Sequence, residues 1–136
     1  MQEGIRMNRN QAGVLTVILA IAMTSGMLYA HHNISALYDR NSVVTMKGTV
    51  TEFLLINPHT RIDFEVTDEN GNVTKWTAWS GPPAGMFRRG WRKDSLKPGD
   101  KIVITGATAR DGSKQITVQR LEPPDRSVPV LTLGAE

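Results

Sequence analysis

An apolar strand that turns at an asparagine–proline pair and returns as a second strand is the feature that most restricts the fold. It covers residues 53–64, and His59 stands at the tip of the turn. On the return, Ile62, Phe64 and Val66 alternate with charged residues, as in a β-strand with one buried face. We therefore expect an antiparallel hairpin that exposes His59 at its end.

The chain continues with further strand patterns. Strands are predicted at residues 43–56, 61–67, 73–79, 101–108 and 114–121. A short helix is predicted at residues 84–91, with a proline at its N-terminal side and a glycine at its end. Gly48 and Glu52 interrupt the first strand, which predicts a bulge or sharp bend that lets one strand serve both sides of a barrel. This order predicts an all-β fold, a small five- or six-stranded OB-like barrel with a short helix between strands 3 and 4.

The N-terminal thirty residues have the layout of a secretory signal. Arg6 and Arg9 precede an apolar run at residues 14–23, and small and polar residues follow before Ala30. The alternative is an uncleaved membrane anchor, because residues 12–30 are just long enough to span a bilayer. We expect a signal helix at 1–30, a leader at 31–42, the barrel at 43–121 and an extended, proline-containing tail at 122–136, in a periplasmic or secreted protein.

Composition excludes several kinds of chemistry. The chain has no cysteine, so thiolate metal sites and cysteine nucleophiles are excluded. Its net charge of +3 is too small to indicate a nucleic-acid partner, and we expect none. Spacing reveals no nucleophile–base pair, and carboxylates such as Asp63 and Glu65 are scattered on outward strand positions. We expect no catalytic residues, and the one route to an enzyme is a redox metal.

All three histidines occupy positions that suit metal binding. Cleavage after Ala30 would make His31 the first residue, followed by His32. The α-amine and imidazole of His31 can chelate one ion, and His59 or His32 would add a further nitrogen. A nitrogen set of this kind suits Cu(II) better than zinc, which normally needs four closed ligands in a structural site. The alternative is polar residues in a flexible tail and a histidine that only stabilises its turn.

A second candidate site surrounds the predicted helix. Its residues share aromatic or cationic side chains that could bind a small ligand or a periplasmic protein: Trp76, Trp79, Arg88, Arg89 and Trp91. The alternatives are tryptophans that fill the core and a solvated helix end. Arg92 and Lys93 extend the positive charge, for which anionic lipid, a glycan or a protein surface are candidate partners. A membrane-anchored form requires that the signal segment stays uncleaved.

Five short motifs together resemble those of an uncharacterised family of small exported bacterial proteins. They are Ala-His-His at residues 30–32, Lys-Gly-Thr-Val at 47–50, Asn-Pro-His at 57–59, Arg-Arg-Gly-Trp at 88–91 and Leu-Lys-Pro-Gly-Asp at 96–100. The resemblance covers nearly all of residues 31–121. It implies a periplasmic or secreted barrel and supplies no established activity, so the function must be argued from the residues.

Three functions follow from these patterns. The first is non-catalytic handling or delivery of copper by an exported barrel through His31, His32 and His59. The second is a metal-free module that binds a ligand or a protein with the Trp- and Arg-rich helix region. The third is a copper-dependent oxidoreductase.

Overall fold

The long first strand, β1 (Tyr38–Leu54), organises the sheet because it lies in the middle of the sheet and pairs with a different strand on each side. The computed structural model describes residues 8, 10, 34–125 and 127–133. The N-terminal part of β1 pairs with one strand and the C-terminal part with another, and Thr49 has a partner on each side. One strand thus serves two sides of the barrel, as the sequence predicts.

The elements follow one another in the predicted order, with additions at both ends. They are α1 (Ile34–Leu37), β1, β2 (Arg61–Thr67), β3 (Val73–Trp79), α2 (Pro83–Arg88), β4 (Lys101–Ala109), β5 (Gln115–Glu122) and β6 (Leu131–Thr132). The sheet order is β3-β2-β1-β4-β5-β6, and a parallel pairing of β3 with β5 closes the first five strands into a barrel. A helix between strands 3 and 4 of such a barrel is the arrangement of an OB fold. The predicted fold class is confirmed.

A bulge bends β1 near its middle. Val50 pairs with Phe64 but Glu52 pairs with Asp63, so Thr51 is the extra residue. The bulge reverses which side chains face inward: Phe53 and Leu55 pack against the core, whereas the alternation before the bulge would have placed Leu54 and Ile56 there. The extra residue explains this difference, since a shift by one residue turns every later side chain to the opposite face.

Gly48 lies where the aromatic ring of Phe64 packs against the backbone of β1. A Cβ atom at this position would overlap the Phe64 ring and come within 3.1 Å of the Glu65 carbonyl oxygen. The absence of a side chain therefore lets Phe64 pack directly against the β1 backbone. Gly106 in β4 has no room for a side chain either, because a Cβ atom would overlap the Thr117 backbone of β5.

The core lies inside the barrel and continues beneath α2. Ile62 and Phe64 of β2 are buried, as their alternation predicts. Proline begins α2 and Gly90, at φ 87°, follows its end. The remaining fully buried or nearly buried core residues come from β1, from β3 to β6 and from the α2 region: Val50, Ala78, Met86, Trp91, Leu96, Ile102, Ile104, Ile116, Val118, Leu121 and Leu131.

The barrel extends beyond the predicted residues 43–121 at both ends. β1 begins at Tyr38, inside the predicted leader, and β6 places Leu131 of the predicted tail in the core. Apart from residues 8 and 10, the predicted signal helix lies outside the described residues. Within the described part of the chain, no helix has the length and apolar composition needed to cross a membrane.

Candidate functional site

His59 lies on an exposed loop that is attached firmly to the barrel. The loop joins β1 to β2, and its Asn57–Pro58 peptide bond is cis. Thr60, the next residue, is completely buried; its N–H donates to the Gly81 carbonyl at 3.1 Å, and its carbonyl accepts the Ser80 N–H at 2.9 Å. The backbone beside His59 is therefore held in place while the imidazole remains in solvent.

Next to this loop, the outer face of β1, β2 and β3 carries a charged network. Arg61 Nη2 lies 2.6 Å from Glu52 Oε2 and 3.1 Å from Asp63 Oδ2. The Thr77 hydroxyl donates to Asp63 Oδ1 at 2.8 Å. The hydrogen bond with Glu52, followed by the charge of Asp63, raises the pKa of the Arg61 guanidinium. Arg61 is thus paired with two carboxylates and is not a free cation.

A hydrogen-bonded cluster on the same outer surface joins three strands. The Trp79 indole N–H donates to Gln115 Oε1 at 2.8 Å, and the Tyr38 hydroxyl donates to the same oxygen at 3.4 Å. Burial raises the pKa of the Tyr38 phenol, and the nearby Asp111 carboxylate raises it further. A pocket of about 220 Å³ lies beside Tyr38, between α1 and the β4–β5 loop. The cluster fixes the start of β1 against β5.

The predicted aromatic binding residues occupy different environments. Trp91 is completely buried and forms an edge-to-face contact with Phe53, at 6.0 Å between ring centroids. It therefore fills the core and does not reach a surface ligand. Trp76 is half-buried beneath the Lys114 ammonium, which lies 5.4 Å from the ring centroid. Trp79 is half-buried as well, so the three tryptophans do not form one stacking surface.

Arg88 and Arg89 lie exposed at the end of α2. Arg89 Nη1 donates to the Gly85 carbonyl at 3.2 Å, so this side chain folds back over the last turn of the helix. Arg92 lies beside them, with its guanidinium carbon 5.9 Å from the Phe87 ring centroid. The structure thus keeps the predicted basic residues on the surface and separates them from Trp91, which the sequence pattern had grouped with them.

Two of the three predicted metal ligands, His31 and His32, lie outside the described residues. Within residues 34–125 and 127–133, no group of three or more histidine, aspartate or glutamate side chains could hold a metal ion. His59 alone is thus not a metal site. Any site that includes it needs ligands from another segment or molecule.

The Trp79–Gln115–Tyr38 cluster is a polar feature that the sequence patterns do not predict. Tyr38 falls in the predicted leader, and Gln115 is an ordinary outward position of β5. The contact of Trp79 with Gln115 depends on the parallel pairing of β3 with β5, which places Thr77 opposite Gln115. A barrel prediction that included this pairing would have brought Trp79 close to Gln115, but not Tyr38.

Comparison with protein families supplies the chain's relatives. A family model described as a family of unknown function, DUF6152, matches residues 18–118. The chain belongs to DUF6152. This agrees with the resemblance seen in its motifs and assigns no activity to the DUF6152 barrel. A search of curated protein sequences found no match.

Solved structures similar to this DUF6152 member have low sequence identity. The small single-stranded DNA-binding protein from Streptomyces coelicolor has 21% identity and a TM-score of 0.46 over 62% of this chain and 92% of that chain. TiaS in its complex with a transfer RNA and ATP has 20% identity and a TM-score of 0.41, over 60% of this chain and 18% of that chain. The structure of yeast Stn1 and Ten1 has 13% identity and a TM-score of 0.39, over 62% of this chain and 44% of that chain. The chain spans less than half the length of the last two.

Proposed function

We propose that this DUF6152 member is exported, to the periplasm or beyond the cell, and binds Cu(II) through His31 and His59, with help from His32. Its role is handling or delivery of the ion, without catalysis. The proposal requires that residues 1–30 are removed, so that the α-amine of His31 is free to bind metal.

The exposed imidazole of His59 on a firmly held loop is the observation that supports the proposal best. Thr60 anchors the backbone at zero solvent exposure, whereas His59 itself is exposed. A ligand whose backbone is held in this way loses little backbone freedom when it binds an ion, which favours affinity. With the residues that the structure describes, the imidazole forms no hydrogen bond or ion pair that a metal would have to replace.

The nitrogen donors of His31, His32 and His59 favour copper over zinc. The described residues lack a three-ligand group, and the proposal takes the other donors from the N-terminal segment, which offers an α-amine and two imidazoles. Three nitrogen donors suit the tetragonal geometry of Cu(II), and copper also has the highest affinity in the divalent series. Residues 34–37 form α1, so His31, three residues before Ile34, can reach up to roughly 10 Å from the start of that helix.

The test is a copper titration of the protein purified from the exported fraction, after its N-terminus has been established by intact mass. His59→Ala should lower the Cu(II) affinity more than about ten-fold and shift the visible absorption, because loss of even an outer-shell partner costs about 10- to 100-fold. Ile56→Ala, on the same loop and 43% exposed, is the matched control and should bind as wild type does.

Three results would overturn the proposal. Equal affinity and an identical spectrum for His59→Ala would remove His59 from the site. An exported protein that begins at a residue other than His31 would remove the α-amine. Copper-dependent turnover of a reductant with oxygen would replace handling by an oxidoreductase activity.

A further inference from the structure

Four cationic side chains surround one exposed aromatic ring where α2 ends. We call this the basic surface: Phe87, Arg88, Arg89, Arg92 and Lys93. All five residues are exposed, and Phe87 keeps 41% of its surface in solvent. An exposed phenylalanine within a dense group of cations is not accounted for by the packing of the core, which uses Met86 and Trp91 from the same segment.

Two of the arginines are held in place by the backbone of α2 and the turn after it. Arg89 Nη1 donates to the Gly85 carbonyl at 3.2 Å. Arg92 Nη1 donates to the carbonyls of Phe87 and Trp91, at 3.0 and 2.8 Å. Each bond uses one nitrogen of a guanidinium that has five N–H donors, so the remaining donors stay available to an anion. Arg89 and Arg92 are therefore oriented before any partner binds.

The basic surface lacks acidic partners in the described chain. None of its four cations forms an ion pair within residues 34–125 and 127–133, although Arg61, Arg110 and Arg120 each pair with a carboxylate. Asp94 follows Lys93 in sequence and is exposed. A concentration of cations that the described residues do not neutralise is complementary to an anionic surface.

Apolar side chains adjoin the cations. A Cβ atom on Gly90 would lie 3.3 Å from Cγ of Pro129, so the segment before β6 runs past the end of α2. Pro129 is exposed, whereas Val130, the next residue, lines a pocket with Glu122 and Asp125. Phe87 and Pro129 therefore give the basic surface an apolar component, and apolar side chains bordered by arginine and lysine are typical of segments that lie at a membrane interface.

We propose that the basic surface docks the barrel onto a membrane that contains anionic phospholipid, with Phe87 entering the headgroup region. A single-stranded nucleic acid fits less well, because it requires successive exposed aromatic rings along a positive groove. In the described residues Trp91 is buried, and Lys114 covers Trp76. The inference needs neither the histidines nor copper.

The test measures binding of the full chain to lipid vesicles by co-sedimentation. Neutral phosphatidylcholine vesicles report any affinity of residues 1–30, and vesicles with about one-third phosphatidylglycerol report the additional effect of charge. The triple variant Arg88→Gln/Arg89→Gln/Lys93→Gln leaves Arg92 intact to support the backbone. One cation near an anionic membrane contributes roughly five-fold in affinity, so this variant should lose at least about ten-fold of the preference for anionic vesicles.

A matched control removes the same charge elsewhere. Lys47→Gln/Lys75→Gln/Lys97→Gln changes three exposed lysines outside the basic surface and should keep most of the preference. Phe87→Ser should weaken binding to anionic vesicles several-fold, with an unchanged thermal unfolding curve. Both should bind neutral vesicles as wild type does, within two-fold.

Three outcomes would overturn the inference. The control variant could lose as much preference as the triple variant, which would show that net charge alone is responsible. Wild type could bind both kinds of vesicle equally. Finally, an oligothymidylate could bind to the basic surface with higher affinity than anionic vesicles do and displace the protein from them, which would identify a nucleic acid as the partner.

Discussion

Replacement of Gly48 by alanine should destabilise the barrel because of a single close approach. The added Cβ would overlap the Phe64 ring at Cδ2, with Cε2 at 3.2 Å and the Glu65 carbonyl oxygen at 3.1 Å. Phe64 is 1% exposed, so its ring has no open space into which to move. Overpacking of a core costs about 1–3 kcal/mol, whereas alanine in place of a strand glycine gains about 0.5–1 kcal/mol.

The two effects leave a net loss of about 1–2 kcal/mol in the free energy of unfolding. For a domain of this size the midpoint of thermal unfolding should fall by roughly 5–15 °C. The assay is urea unfolding at neutral pH, followed by circular dichroism. Gly81→Ala is the control, because no atom lies within 4 Å of its added Cβ and its φ is not positive. It should be neutral or slightly stabilising.

A double-mutant cycle identifies the cause. Phe64→Leu removes part of the ring, so Gly48→Ala should cost at least about 1 kcal/mol less in that background than in wild type. If Gly48→Ala is as stable as wild type, or if its cost is the same with leucine at residue 64, the close approach of the ring is not what requires glycine.

Two further predictions concern buried side chains. Tyr38→Phe should cost less than about 1 kcal/mol at pH 7, since its hydrogen bond to Gln115 is 3.4 Å long. The pKa of Tyr38 is raised above 10.0 in the fold, so protonated Tyr38 stabilises the barrel fully below pH 10 and this contribution is lost as the pH rises through the raised pKa. Urea unfolding between pH 7 and pH 11 should show that the free energy of unfolding falls less at alkaline pH for Tyr38→Phe than for wild type. If it falls equally in both proteins, Tyr38 does not cause the alkaline loss. Trp91→Phe should cost less than the roughly 3–5 kcal/mol of Trp→Ala, because the indole N–H has no partner among the described residues. A loss as large as that of Trp91→Ala, measured in the same way, would mean that the N–H forms a bond essential to the core.

The fold could be predicted from the sequence where a pattern repeats over several residues. The alternation at Ile62 and Phe64 predicts β2 correctly, and proline and glycine mark the two ends of α2. The interruption around Gly48 and Glu52 predicts a bulge, which occurs at Thr51. These features are local, so the physical chemistry of a few neighbouring residues determines them.

Features that depend on distant pairing could not be predicted in this way. β6 has two residues, too few for any period, and Leu131 is buried because β5 lies beside it. Trp91 follows a basic pair in sequence, which suggests an exposed position, but the turn after α2 directs it into the barrel. The exposed position of His59 agrees with the hairpin prediction, whereas its partnership with His31 and His32 stays a prediction.

The short β6 strand protects an otherwise incomplete margin of the sheet. β3 pairs with the first half of β5, and β6 takes over at Arg120 and Leu121, with the Leu133 N–H donating to the Gln119 carbonyl at 2.8 Å. A shortened version that ends at Glu122 would expose these backbone groups and the hole left by Leu131. Two such molecules would be expected to satisfy each other's open margins by intermolecular β-pairing, so aggregation of the shortened form would reflect the missing strand.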